Sequence, residues 1–147
     1  MRVDSALIPP GFIAGAKMHT IIFENGNLYI IPTGSGPASI LDYTKGLLHL
    51  RQNKDILVNA AVTALINNYI KKIRETESKI NSDSIEQWAV TKGAFKCSLN
   101  EIQNFRITDK DTYVKIEIQA SGKKMKFDGT ILDKDDWLAM AQEIGKS

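Results

Sequence analysis

His19 and His49 are the only histidines in the chain, and Cys97 is its only cysteine. Either histidine could serve as a general base or a metal ligand. Metal sites need further ligands at set intervals, however, and no acid or cysteine stands at such a spacing from either. Both are expected to have structural or surface roles. Cys97 alternates with Phe95 and Leu99, a setting for a small buried hydrophobe; a reactive thiolate needs an accessible, electropositive one. Asp133, Asp135 and Asp136 match no calcium-loop pattern and are accounted for as carboxylates at the positive end of a helix. Gly34-Ser35-Gly36-Pro37 precedes a helix but lacks the Lys-Ser/Thr ending of a phosphate loop, so it reads as a turn. No catalytic residue, metal ligand or cofactor is expected.

Lys123, Lys124 and Lys126 form the one compact basic run. With the turn beside them they could contact an anionic ligand, each lysine near an anionic membrane contributing about 1 kcal/mol. The plainer reading is an edge strand that lysine protects from aggregation. A net charge of +2 is too small for the basic stripe of a nucleic-acid binder, so no nucleic-acid partner is expected. A single cysteine precludes an intramolecular disulfide and fits a reducing, cytoplasmic compartment. With 147 residues, 43% hydrophobic and 24% charged, the chain is expected to fold as one soluble domain over residues 1–147. Its most apolar stretch, Ile56 to Ile70, falls short of the roughly 20 residues that span a bilayer. Met1 to Pro10 lacks the apolar length of a signal-peptide core.

These side chains must be positioned by elements that the hydrophobic period reveals. Lys17 to Phe23 and Leu28 to Ile31 read as strands, with Glu24-Asn25-Gly26-Asn27 as a tight hairpin turn in which Asn-Gly supplies two positive φ angles. Pro32 is expected to end the second strand. Pro37 suits the first position of a helix carrying Ile40, Leu41, Leu47, Leu48 and Leu50 and ending near Arg51 to Asn53. In that helix Gly46 costs about 1 kcal/mol relative to alanine. From Asp55 to Ile80, the spacing of Val58, Val62, Leu65, Tyr69, Ile73 and Ile80 predicts a second helix. Its apolar first half should be sandwiched and its charged second half solvated. The two would form an αα-hairpin. Ser84 and Gln87 have the capping-box spacing for a short helix to about Lys92, anchored by Trp88, although a short strand over Ile85 to Val90 fits as well.

Beyond Gly93 the period becomes two. Phe95, Cys97 and Leu99, then Phe105 and Ile107, then Val114, Ile116, Ile118 and Ala120, then Met125 and Phe127 mark half-buried antiparallel strands. Asp109-Lys110-Asp111 and Ser121-Gly122 are the turns between them. Asp133 caps a last helix, Trp137, Ala141 and Ile144 share its face, and Gly145 stops it.

The hairpin Thr20 to Pro32, with Leu28-Tyr29 after its turn, resembles the opening of the pleckstrin-homology-like (PH-like) superfamily, bacterial PH-like and GRAM-like domains included. Ser98-Leu99-Asn100-Glu101-Ile102, the strand around Ile116, Gly122-Lys123-Lys124 before Phe127 and the Trp137 helix are similar to the family's C-terminal half. Together the two stretches cover about half of the chain. The resemblance implies an α+β fold: a bent antiparallel sheet or partly open barrel capped by the C-terminal helix. The helices over about residues 37–92 would be an insertion. It also implies a non-enzymatic binding or scaffolding role through protein contacts. The apolar helix over Ile56 to Ile70 either packs against its own sheet and first helix, the favoured reading, or offers a face for self-association through the inserted helices. The alternative is peripheral binding to anionic membrane lipid through Lys123, Lys124 and Lys126. Lipid-binding members carry basic residues at their first hairpin turn. The turn read here as the first, Glu24 to Asn27, carries none, which argues against phosphoinositide recognition.

Overall fold

The computed structural model describes residues 1–52 and 60–147. They form an α+β fold around one antiparallel sheet of seven strands: β1 (Arg2–Ile8), β2 (Lys17–Glu24), β3 (Asn27–Ser35), β4 (Phe95–Ser98), β5 (Ile102–Asp109), β6 (Tyr113–Ala120) and β7 (Lys123–Thr130), in the order β4-β3-β2-β1-β7-β6-β5. Helices α1 (Ile40–Gln52), α2 (Ala60–Leu65), α3 (Lys71–Lys79) and α4 (Ile85–Ala89) lie between β3 and β4, and α5 (Lys134–Ile144) follows β7. A single π-helical turn, Ile66–Ile70, joins α2 to α3. The insertion thus occupies residues 36–94, close to the expected 37–92.

The strand order fixes the shape of the sheet. Laid flat, seven strands would put β4 and β5 about 29 Å apart, at roughly 4.8 Å per interval. Yet only the 3-10 turn Leu99–Glu101 separates Ser98 from Ile102, a link that even fully extended reaches about 14 Å. The sheet must therefore curl until its two edges are close. Its concave side is one core, drawing Val3, Ile21, Leu28, Cys97, Phe105, Ile116 and Phe127 from the seven strands and Trp137, Met140 and Ile144 from α5.

Strand β6 buries every second residue, Val114 through Ala120, as its alternation predicts. Strands β2 and β3 behave differently, being buried on both faces over Met18–Phe23 and Leu28–Ile31. Their convex side is covered by the inserted helices: Leu7 and Met18 pack with Ile40, Tyr43, Leu47, Ile70 and Ile73, while Ile22, Tyr29 and Ile31 pack with Ile80 and Ile85. A strand covered on both faces reads as a continuous apolar run, which is how Ile21-Ile22-Phe23 and Tyr29-Ile30-Ile31 are written.

The β2–β3 turn has Asn25 at φ 52° and Gly26 at φ 74°, the paired left-handed angles that Asn-Gly was expected to supply. Several other expectations are corrected. Pro32 does not end β3; it pairs with His19 beside an irregularity in the ladder, past the last β4 partner at Ile30. There β3 is an edge and tolerates a residue without an N–H. Pro37 precedes the helix rather than starting it, and Ser39 caps α1, its Oγ accepting from the Asp42 N–H at 3.3 Å. Residues 55–59 of the second expected helix lie outside the described residues. The burial of its remainder is reversed: α2 has no buried residue, whereas Ile70 and, in α3, Ile73 are buried. Ile70 and Ile73 pack with Leu7, Met18, Ile40, Tyr43 and Leu47, whereas Leu65 and Ile66 are only partly buried against that cluster.

The short helix after Ser84 exists, but it ends at Ala89 and its capping box does not form. The Ser84 hydroxyl donates instead to the Lys79 carbonyl at 2.9 Å. Ile85 rather than Trp88 is its buried anchor. The capping box belongs to Ser98 and Glu101, where β4 turns into β5. Asp133 stands at the N-cap of α5 without a side-chain cap bond, while Asp135 and Asp136 lie in the first turn and Gly145 ends the helix at φ 69°. Strand β1, absent from the sequence reading, is central to the sheet. It pairs with β2 along its length and with β7 only at Ala6–Gly129 and Leu7–Asp128.

Candidate functional site

Because β1 exists, the first hairpin of the fold is β1–β2, and its loop is Pro9 to Ala16, not Glu24 to Asn27. No charged residue stands between Asp4 and Lys17, and Phe12 and Ile13 reach 105% and 95% of full exposure. Beside the loop's base lies a groove of about 660 Å³ lined by Ile8, Lys17, His19, Pro32 and Lys92, among others. It joins the ends of β1, β2 and β3 to the segment after α4.

His19 lies at this groove but is itself buried, set edge-on to Phe127 with ring centroids 5.3 Å apart. Burial lowers its pKa to about 4, so the ring is neutral at pH 7, and its Nδ1 has no hydrogen-bond partner in the structure. Among the described residues no carboxylate orients it as a base. His49 is remote from it, on α1 beside a second groove lined by Asp42, Lys45, Val62 and Leu65. Cys97 is buried, and desolvation, then Glu101, push its thiol up to about 11. It is a thiol at neutral pH, as its alternation with Phe95 and Leu99 suggested.

The three lysines of the basic run do not share a face. Lys124 and Lys126 stand opposite Gln119 and Glu117 on the convex side, by a shallow groove that also includes Asn104 and Arg106. Lys123 stands opposite Ala120, and its ammonium lies 5.7 Å from the centre of the Phe95 ring. Glu117, bonded to Arg106 at 3.2 Å, offsets part of the remaining positive charge. The expected sheet edge holds only locally: β7 is interior in the strand order, but residues 123–127 have no partner on the β1 side.

The densest group of ionisable side chains was not foreseen. Arg2, Asp4, Arg74, Glu77, Asp133 and Asp136 line a polar cleft of about 200 Å³ between β1, α3 and the start of α5. Arg2 Nε donates to Asp4 Oδ1 at 3.0 Å, and its guanidinium also donates to the carbonyls of Glu77, at 2.7 Å, and Ile80. Arg2 therefore adds a second donor to the Glu77 carbonyl, which also accepts from the Ile80 N–H at 3.2 Å, and supplies one to the Ile80 carbonyl, tying the C-terminal end of α3 to β1. Burial, then the nearby Asp4 carboxylate, raises Glu77 to about 7. Among the described residues no group of histidine, cysteine and acidic side chains is arranged to hold a metal ion. Bonds to helix-end carbonyls make this cleft a clamp between elements.

The three grooves and the cleft are open, and among the described residues Phe12 and Ile13 of the apolar loop are the most exposed large apolar side chains. Comparison with protein-family models, with curated proteins and with solved structures finds no match for the chain. Among the described residues no helix is long and apolar enough to cross a membrane.

Proposed function

We infer that the chain is a non-enzymatic binding module of PH-like, GRAM-like architecture that acts in the cytoplasm through protein contacts and self-associates through its inserted helices. The observation that carries this reading is α2: Ala-Ala-Val-Thr-Ala-Leu, with no buried residue. Beside it, Leu41 and Leu48 of α1 share a stripe and are 42% and 38% exposed. Apolar helices are stable in water when something covers them, and fully burying a leucine is worth about 1.5–3 kcal/mol. Alanine also allows a second helix to approach closely.

Two features support the PH-like part of the reading. The strands follow one another as a meander that closes between β1 and β7 and stays open between β4 and β5. The single helix after β7 fills the concave side through Trp137, Met140 and Ile144. The long insertion between β3 and β4 is an addition to such a domain, and it supplies the associating face. A lone cysteine held as a buried thiol fits the cytoplasmic setting.

Light scattering coupled to gel filtration tests the association. At high micromolar concentration the parent protein is expected to run as a dimer or larger, and Leu41→Glu/Leu48→Glu as a monomer with the same circular dichroism. A parent protein that stays monomeric removes self-association from the reading.

A further inference from the structure

The junction between β1 and β7 leaves part of β7 open. Only Ala6 and Leu7 of β1 pair with β7, at Gly129 and Asp128; Pro9-Pro10 follow at once, and a proline has no N–H to extend the ladder. Residues 123–127 are paired with β6 throughout. Among the described residues no backbone bond from the β1–β2 loop reaches their other side. In a strand every second residue turns its N–H and C=O away from a given neighbour. This stretch, about 17 Å long at roughly 3.4 Å per residue, therefore presents a row of unused donors and acceptors. Such a row is a template for one more strand.

The side chains beside the row select which strand it can take. Lys124 and Lys126 are exposed on the convex side, and among the described residues neither belongs to an ion pair. Glu117, the carboxylate opposite Lys126, is already bonded to Arg106. A second copy of the same edge is a poor occupant. An antiparallel pair centred on Met125 would set Lys124 against Lys126, and like charges directly opposite are destabilising. A strand with carboxylates on alternate residues does the reverse, since each would lie across from an ammonium. The lysines that keep the edge from aggregating thus admit one class of strand and reject others. We propose that residues 123–127 of β7 are a docking edge for an extended acidic segment of a partner protein, which adds a strand beside β7 and sets its carboxylates against Lys124 and Lys126. Backbone bonds along β7 supply affinity and the lysine pair supplies specificity. The edge uses no residue of α1 or α2, so it does not depend on self-association.

Fluorescence anisotropy of the whole protein with a short labelled peptide of alternating glutamate and threonine tests the edge. The parent protein is expected to bind this peptide, less tightly as salt rises, and not the version with lysine in place of glutamate. Lys124→Glu/Lys126→Glu should weaken binding of the acidic peptide about tenfold or more and favour the lysine version. Lys124→Gln/Lys126→Gln, which sets no like charge opposite Glu117, should also weaken it, and unchanged thermal melts would show that the fold is intact. Methylating the peptide's amides on every second residue separates strand addition from loose charge attraction: one alternate set should abolish binding and the other leave it. An equal effect of the two methylation patterns overturns the proposal. So does a parent protein that ignores the acidic peptide at low salt, including one that pellets with phosphatidylserine vesicles through the same lysines. Unchanged binding by both lysine variants would place the contact on another edge of the sheet and overturns it too.

Discussion

Gly129 shows how little room the centre of the sheet allows. A Cβ there would lie 2.6 Å from Trp137 Nε1 and 2.9 Å from side-chain carbons of both Ile116 and Val114. The residue also forms one of the two β1–β7 pairs. Gly129→Ala is therefore expected to destabilise the fold by about 1–3 kcal/mol, the usual cost of overpacking, seen as a lower urea midpoint with unchanged slope. Nothing in the sequence marks this glycine, because its neighbours come from β6 and α5. The period-two reading of β7 does carry the fate of its lysines: positions 124 and 126 share a parity that 123 lacks, so alternate faces follow from the alternation itself. The exposure of Phe12 and Ile13 is a different matter. Sequence pattern shows that a residue is apolar, and whether anything covers it is settled by elements far along the chain.

Among the elements, α1 and the helix that follows cross closely at Gly46. Read along the sequence, that glycine is a weak point in a helix; in the fold it is the reason the crossing exists. A Cβ at Gly46 would lie 2.3 Å from Ile70 Cδ1 and 3.2 Å from Leu65 Cδ2. Gly46→Ala should gain about 1 kcal/mol of helix propensity and lose more to the clash, lowering the urea midpoint. Adding Ile70→Val, which removes the Cδ1 atom, should recover part of the loss, and a failure to recover would mean that the crossing is not what limits residue 46. Strands buried on one face, such as β6, were legible because alternation is visible locally. Strand β1 was not, since the bulge at Ser5, with φ 67°, interrupts its pattern and Pro9-Pro10 follow directly. The capping box was assigned to Ser84 and Gln87 rather than to Ser98 and Glu101 because both segments carry the same spacing. Only the path of the backbone decides between them.

For the molecule as a whole, two buried groups oppose each other in their response to pH. Glu77, raised by burial to about 7, holds a proton in the folded state that it releases earlier when unfolded, so its contribution to stability falls as pH rises from about 4.5 to 7. His19, lowered by burial to about 4, resists a proton that the unfolded chain accepts, so its contribution falls as pH drops from about 6.5 to 4. The spans overlap between about pH 4.5 and pH 6.5 with opposite sign, and the parent protein is expected to show a nearly flat melting temperature across that window. Glu77→Gln should unmask a decline toward acid and His19→Gln a decline toward neutral pH; thermal melts across the window check both. A steep profile in the parent protein would contradict the pairing. The narrow junction of β1 with β7 has a consequence of another kind. Synthesis runs from β1 through the helices to β7, so the inner side of β1–β3 is laid open before β7 emerges, while its outer side can already be clothed by the nascent helices. Those early helices act as a built-in escort, leaving one flank of β1 to await the final strand.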